Sequence, residues 1–118
     1  MPDARRAVGE AGEDAVVAWY EDAGYSIVAR NWRVRDGEID LIARRGAILV
    51  FCEVKTRRSD AFGTPAEAVT SRKRARIRGL ATQWLAANRG HGADLRFDVA
   101  SVQPDGRGLV VSVIEGAF

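Results

Sequence analysis

The chain has 118 residues, of which 47% are hydrophobic and 29% charged, with a formal net charge of +2. That balance predicts one globular domain with a single core, and excludes a disordered or fibrous chain. No apolar run approaches the roughly 20 residues that cross a bilayer, and the N-terminus lacks the apolar stretch of a signal peptide, so a cytoplasmic protein is expected.

Residues from about Ala4 to Ala23 read as a helix. Val8, Ala11, Ala15, Trp19 and Ala23 recur at spacings of three and four and predict one apolar stripe. Gly24 stops the helix, as glycine commonly does one residue past a helix end. Glu13 lies two positions from the stripe centre and flanks the core face. Tyr25–Trp32 then reads as a first strand, bounded by Gly24 and the polar segment that follows. Trp32, Arg33 and Arg35 are placed to pack or to touch nucleic acid.

Two apolar runs come next, Ile39–Ala43 and Ala47–Val54, on either side of Arg45-Gly46. Their length and their Ile, Leu, Val and Phe content predict a β-hairpin. Asp40, Glu53 and Lys55 do not suit such strands, because ionised groups beside an apolar sheet are costly unless paired or bound to a metal. Alternation puts Leu49, Phe51, Glu53 and Lys55 on one face and Val50, Cys52 and Val54 on the other. A turn centred on Arg45-Gly46 pairs Asp40 with Phe51 and Glu38 with Glu53. Asp40 then lies diagonal to Glu53, with roughly 7–8 Å between backbones. A longer loop of the same parity keeps both acids on one face, and a one-residue slip separates them.

Two converging carboxylates suit a hard cation. Magnesium takes oxygen ligands, one or two of them carboxylates, and keeps several waters and phosphate oxygens. Asp40, Glu53 and the carbonyl of Val54 form the protein side of such a site. Lys55, two residues on along the same face, is placed to hold a water. Only two of the chain's 18 Lys and Arg residues are lysines, Lys55 and Lys73. Lysine can exchange a proton where arginine in practice cannot.

The single cysteine, Cys52, excludes an internal disulfide and reads as a buried, inert thiol. Arg57–Gly63 is a polar loop beside the proposed site, with Arg57 and Arg58 placed to hold phosphate oxygens. Thr64-Pro65-Ala66-Glu67 has the form of a capping box, so a helix is expected from Thr64, continuing or breaking near Thr70-Ser71.

Ser71–Asn88 is the second long helix, with Ile77, Leu80, Ala81, Trp84 and Asn88 on one face. Lys73 lies four residues before Ile77 and so falls on the inward stripe at the helix start. With Arg72, Arg74, Arg76 and Arg78 it makes five cations in seven residues. Such a ridge is either a solvated face or a phosphate-tracking surface next to the acids. The lone His91, in a glycine-flanked loop, argues against a zinc site and against histidine-based nucleophilic catalysis. Leu95–Val102 and Leu109–Ile114 read as the last two strands, separated by the turn signal Pro104-Asp105-Gly106. Asp98 is expected to be a structural carboxylate.

Asp40 with Glu53-Val54-Lys55 resembles the D…(D/E)-x-K signature of restriction-endonuclease-like nucleases. The wider set is similar to the YraN-like family of small bacterial predicted endonucleases, related to Holliday-junction resolvases. It comprises Gly9, Gly12-Glu13, Asn31, Gly37–Ala43, Leu49–Phe51, Glu53–Lys55, Phe62-Gly63, Lys73, Arg96–Val99 and Ala117-Phe118.

The resemblance implies an αβββαβ core, and the predicted element order is in keeping with it: an α/β fold with a single mixed β-sheet flanked by helices. It also implies a first-helix glutamate in the metal site, for which Glu13 is the matching position, and a homodimer. The combined expectation is a Mg²⁺- or Mn²⁺-dependent nuclease acting on DNA, including branched DNA. Asp40, Glu53, Val54 and Glu13 hold the metal, Lys55 positions or activates water, and Glu38 tunes the site or assists. Arg57, Arg58, Arg72, Lys73 and Arg76 lie on the backbone. The alternative is a nucleic-acid-binding or adaptor module that keeps the fold without cleaving.

Overall fold

The computed structural model describes residues 4–56, 69–88, 92–106 and 108–118. Helix α1, Ala4–Asp22, is followed by strands β1, Ser26–Val34, β2, Gly37–Arg45, and β3, Ile48–Thr56. Helix α2, Ser71–Asn88, leads to β4, Asp94–Asp105, and β5, Gly108–Ile114. The five strands form one mixed sheet in the order β1-β2-β3-β4-β5. All neighbours are antiparallel except β3 and β4, which are parallel. A parallel pair needs a long crossover, and the segment that carries α2 provides it.

The helices cover opposite faces. On one, Val16 and Tyr20 of α1 pack with Leu41, Ala43, Val50, Cys52, Ala100 and Val102. On the other, Leu80, Ala81 and Trp84 of α2 pack on Ile39, Ile42, Leu49 and Phe51. The predicted alternation of β3 is therefore observed, with Cys52 buried on the α1 side. Phe51 stacks on Phe97, which stacks on Phe118, so that the last residue closes the α2 face.

Helix ends follow local chemistry. Gly24 takes φ = 91°, and the N–H of Tyr25 reaches back to the carbonyl of Tyr20 at 2.9 Å, which closes α1. At the start of α2 the Thr70 hydroxyl accepts the N–H of Lys73 at 3.3 Å, so Thr70 is a helix cap. The expected helix start at Thr64, with its capping box, lies outside the described residues, as do Arg57, Arg58 and His91.

Two expectations are corrected. The buried stripe of α1 is Gly12, Val16 and Tyr20, one position round from Ala11, Ala15 and Trp19. Tyr20 buries because its hydroxyl has a partner in Asp98 at 2.7 Å. Gly12 buries because it has no side chain: a Cβ there would collide with the Thr56 hydroxyl of β3. The hairpin turn is centred on Gly46-Ala47, since Arg45 pairs with Ile48. Gly46 supplies φ = 59° at the first central position, which arginine fills poorly. The register thus moves by two residues and parity is kept. Phe51 pairs with Ile42 and not with Asp40. Glu38 is not opposite Glu53, and its partner is Arg33 of β1, by register and by an ion pair of 2.7 Å.

Candidate functional site

The β2–β3 ladder ends at Leu41 and Cys52, which makes Asp40 and Glu53 the next pair in register. The backbones do not pair there. Instead, an Asp40 carboxylate oxygen accepts the N–H of Val54 at 2.8 Å. One side chain takes the place of a strand, and the two strands part. The opening is a cleft of about 280 Å³ lined by Gly37, Glu38, Asp40, Glu53, Lys73, Arg76 and Ile77. Its floor is the end of the β2–β3 hairpin and its wall is the first two turns of α2.

The charges in the cleft are coupled. Burial and the neighbouring Glu53 carboxylate together push the Asp40 pKa up to about 7, against the pull of the Val54 N–H. Two carboxylates in a partly desolvated site share a proton or a cation, since both cannot ionise cheaply. Lys55 Nζ lies 3.2 Å from Glu53 Oε1. Burial opposes the charge on Lys55, but the adjoining Lys73 amine and Glu53 carry its pKa above the ordinary lysine value. Lys73 moves the other way, because Lys55 faces it.

Of the expected site residues, Asp40, Glu53, Lys55, Lys73, Arg76 and Glu38 are brought to this cleft or to its lining groups. The part of Val54 seen at work is its N–H. Glu13 is held elsewhere: it accepts the Asn31 amide at 3.0 Å and lines a neighbouring depression with Gly9, Glu10, Asn31 and Arg33. The Arg33–Glu38 pair lies between the two, with Arg33 on one and Glu38 on the other. Among the described residues no group of three or more His, Cys, Asp or Glu side chains is placed to hold a metal ion together: Asp40 and Glu53 adjoin, and Glu38, the third carboxylate of the lining, is paired with Arg33.

The five cations of α2 divide by partner. Lys73 and Arg76 line the cleft, and Arg72 is exposed. Arg74 donates to the carbonyl of Val69 at 3.0 Å and lies over the ring of Phe118 at 5.7 Å. Arg78 lies over Phe97 and Phe118 at 5.9 and 5.6 Å. These two fasten the helix to the sheet.

Asp98 is fully buried on the face away from the cleft, as a structural carboxylate. It accepts from Tyr20, from Arg96 at 2.9 and 3.0 Å, and from the N–H of Gly116 at 3.0 Å. Arg96 also donates to Tyr25 at 2.9 Å. Sequence reasoning missed this network, the Asn31–Glu13 bond and the Lys55–Lys73 contact. Only the last had a signal, in the rarity of lysine.

The model of the family described as "Uncharacterised protein family UPF0102" matches residues 12–102, which span the cleft, α2 and most of the sheet. A UPF0102 protein of Nocardia farcinica is 56% identical over 98 residues, 83% of this chain and 77% of the relative. One of Beutenbergia cavernae is 52% identical over 99 residues, 84% of each. One of Symbiobacterium thermophilum is 51% identical over 115 residues, 96% of this chain and 97% of the relative. By the matched family model and by identity along nearly its whole length, the chain belongs to the UPF0102 family.

Proposed function

We propose that this protein is a metal-dependent nuclease that hydrolyses DNA phosphodiester bonds in the cleft between β2, β3 and α2. The observation that carries this reading is the juxtaposition of Asp40 and Glu53 where the two strands part. Both acids are half-buried, and burial first and the Glu53 carboxylate second raise the Asp40 pKa. Oxygen donors of this kind fit Mg²⁺ or Mn²⁺, which take one or two carboxylates and fill their remaining positions with water and phosphate. When bound, such an ion supplies Lewis acidity at a phosphate oxygen and eases the deprotonation of water.

The chain's own residues do the rest. Asp40 and Glu53 hold the ion, with Asp40 fixed by the Val54 N–H. The Lys55 ammonium, 3.2 Å from Glu53, donates to the attacking water and orients it. The water oxygen gives up a proton to solvent and bonds to phosphorus as the bond to the leaving sugar oxygen breaks, and that oxygen takes up a proton from solvent. Lys73 and Arg76 on the wall of the cleft hold neighbouring phosphates. Arg72 extends that cationic surface outward. Arg57 and Arg58, expected to hold phosphate as well, lie outside the described residues.

A second reading has one observation in its favour. Of the three carboxylates that line the cleft, Glu38 is paired with Arg33 and Glu53 with Lys55. On that reading the protein binds nucleic acid without cutting it. Incubation with branched, single-stranded and duplex DNA in Mg²⁺ or Mn²⁺, beside Asp40→Ala and Lys55→Ala, separates the two. Ion-dependent cutting lost in both variants supports the nuclease. Binding without cutting, unchanged in both variants, supports the module.

A further inference from the structure

Asn31 sits at an interruption of the sheet. Among the described residues it alone, apart from glycines, has positive φ, at 50°. The β1–β2 pairing runs through Arg30 with Leu41 and through Trp32 with Ile39, and skips Asn31 and Asp40 between them. Side-chain alternation slips on both strands at this row. Ala29 and Trp32 both pack toward α2, as do Ile42 and Ile39, although regular strand residues three apart face opposite ways. The pairing register is the same on either side of this row, and the register shift of β1 lies earlier, between Ile27 and Ala29, so the change of face is made by the backbone at the row itself, where Asn31 is left-handed. Asn is among the few non-glycine residues that tolerate the conformation.

The slip has a consequence for Asp40. Ile39 is turned into the α2 core, and the Asp40 carboxylate is left to reach across to the Val54 N–H on β3. On the other side, the amide of Asn31 donates to Glu13 and ties β1 to α1.

We propose that Asn31 is a positioning residue: its left-handed backbone makes the break that lets Asp40 leave the ladder and hold the Val54 N–H. The backbone does this, and the amide serves separately to anchor Glu13. The consequence for ion binding rests on the reading of Asp40 and Glu53 as ion ligands; the consequence for Val54 does not.

Hydrogen exchange at the Val54 amide and calorimetric titration with Mn²⁺ test this in the wild-type protein, Asn31→Gly and Asn31→Val. Glycine adopts the left-handed conformation freely and valine resists it. Asn31→Ala replaces the valine variant if that variant does not fold. The expected result is that Asn31→Gly keeps Val54 protection and Mn²⁺ affinity close to wild type. Asn31→Val loses the protection at Val54 while β4 amides keep theirs, and its Mn²⁺ affinity falls about 10–100-fold. Unchanged Val54 protection in the valine or alanine variant overturns the proposal, and so does an equal loss in the glycine and valine variants. If wild-type protein takes up no Mn²⁺, the nuclease reading fails, and the exchange comparison still decides the role of Asn31.

Discussion

The Asp40 carboxylate holds the N–H of Val54 at 2.8 Å at the point where β2 and β3 stop pairing, and so acts as a strut in place of a strand. An asparagine can accept the same N–H without the charge. Asp40→Asn is therefore expected to keep or raise the melting temperature at pH 8 in the absence of divalent ions, because the repulsion with Glu53 is removed. The same variant is expected to lose the thermal stabilisation by Mn²⁺, and to lose DNA cleavage by at least about 100-fold. Melting curves with and without Mn²⁺, beside a cleavage assay, check both halves.

The raised pKa of Asp40 sets a pH dependence. The folded protein keeps the proton up to about pH 7, by burial first and by Glu53 second, whereas the unfolded chain releases it near 3.8. Between those values the folded state binds more protons. The contribution of this group to stability is full below the lower value and is lost as pH rises through about 7. Ion binding needs the deprotonated acid, so affinity for Mn²⁺ is expected to climb over the same window. Melting temperatures from pH 4 to pH 8 should fall more steeply in wild type than in Asp40→Asn, and stabilisation by Mn²⁺ should emerge only near neutral pH.

The two lysines are expected to separate binding from chemistry. Lys73 faces the cleft from α2, and Lys73→Met should weaken DNA binding and reduce the salt slope of affinity by about one ion. Lys55→Met should leave that slope near wild type and tighten Mn²⁺ binding, because it frees the Glu53 carboxylate, while cleavage falls. Binding isotherms across a salt series, with cleavage measured at saturating DNA, distinguish the two.

Much of the fold was legible because the apolar pattern was strong. The buried face of α2, Ile77, Leu80, Ala81 and Trp84, follows from spacing alone. So does the placing of Glu53 and Cys52 on opposite faces of β3. The stripe of α1 was misread by one residue because two of its members owe their burial to distant partners. Tyr20 needs Asp98, 78 positions away, and Gly12 needs Thr56. The hairpin register was misread because an apolar run fixes parity, while the turn residue fixes the count. Glu13 accepts the amide of Asn31, a residue with φ = 50° inside a strand, and apolar spacing encodes neither.

The close approach of α1 to β3 gives a prediction about stability. A Cβ on Gly12 meets the Thr56 hydroxyl inside contact distance, while the Thr56 Cβ lies at an ordinary 3.6 Å. Gly12→Ala is expected to destabilise the protein by roughly 1–3 kcal/mol through overpacking. Removing the hydroxyl and methyl with Thr56→Ala should recover most of that loss in the double variant. A double-mutant cycle in denaturant checks the coupling.

The most direct measurement is the anomalous diffraction of crystals soaked in millimolar Mn²⁺ near neutral pH, recorded for the wild-type protein and for Asp40→Asn. The account predicts a manganese peak between the Asp40 and Glu53 carboxylates that vanishes in the variant. A peak elsewhere on the surface with none between these acids, or a peak that survives the substitution unchanged, would contradict it.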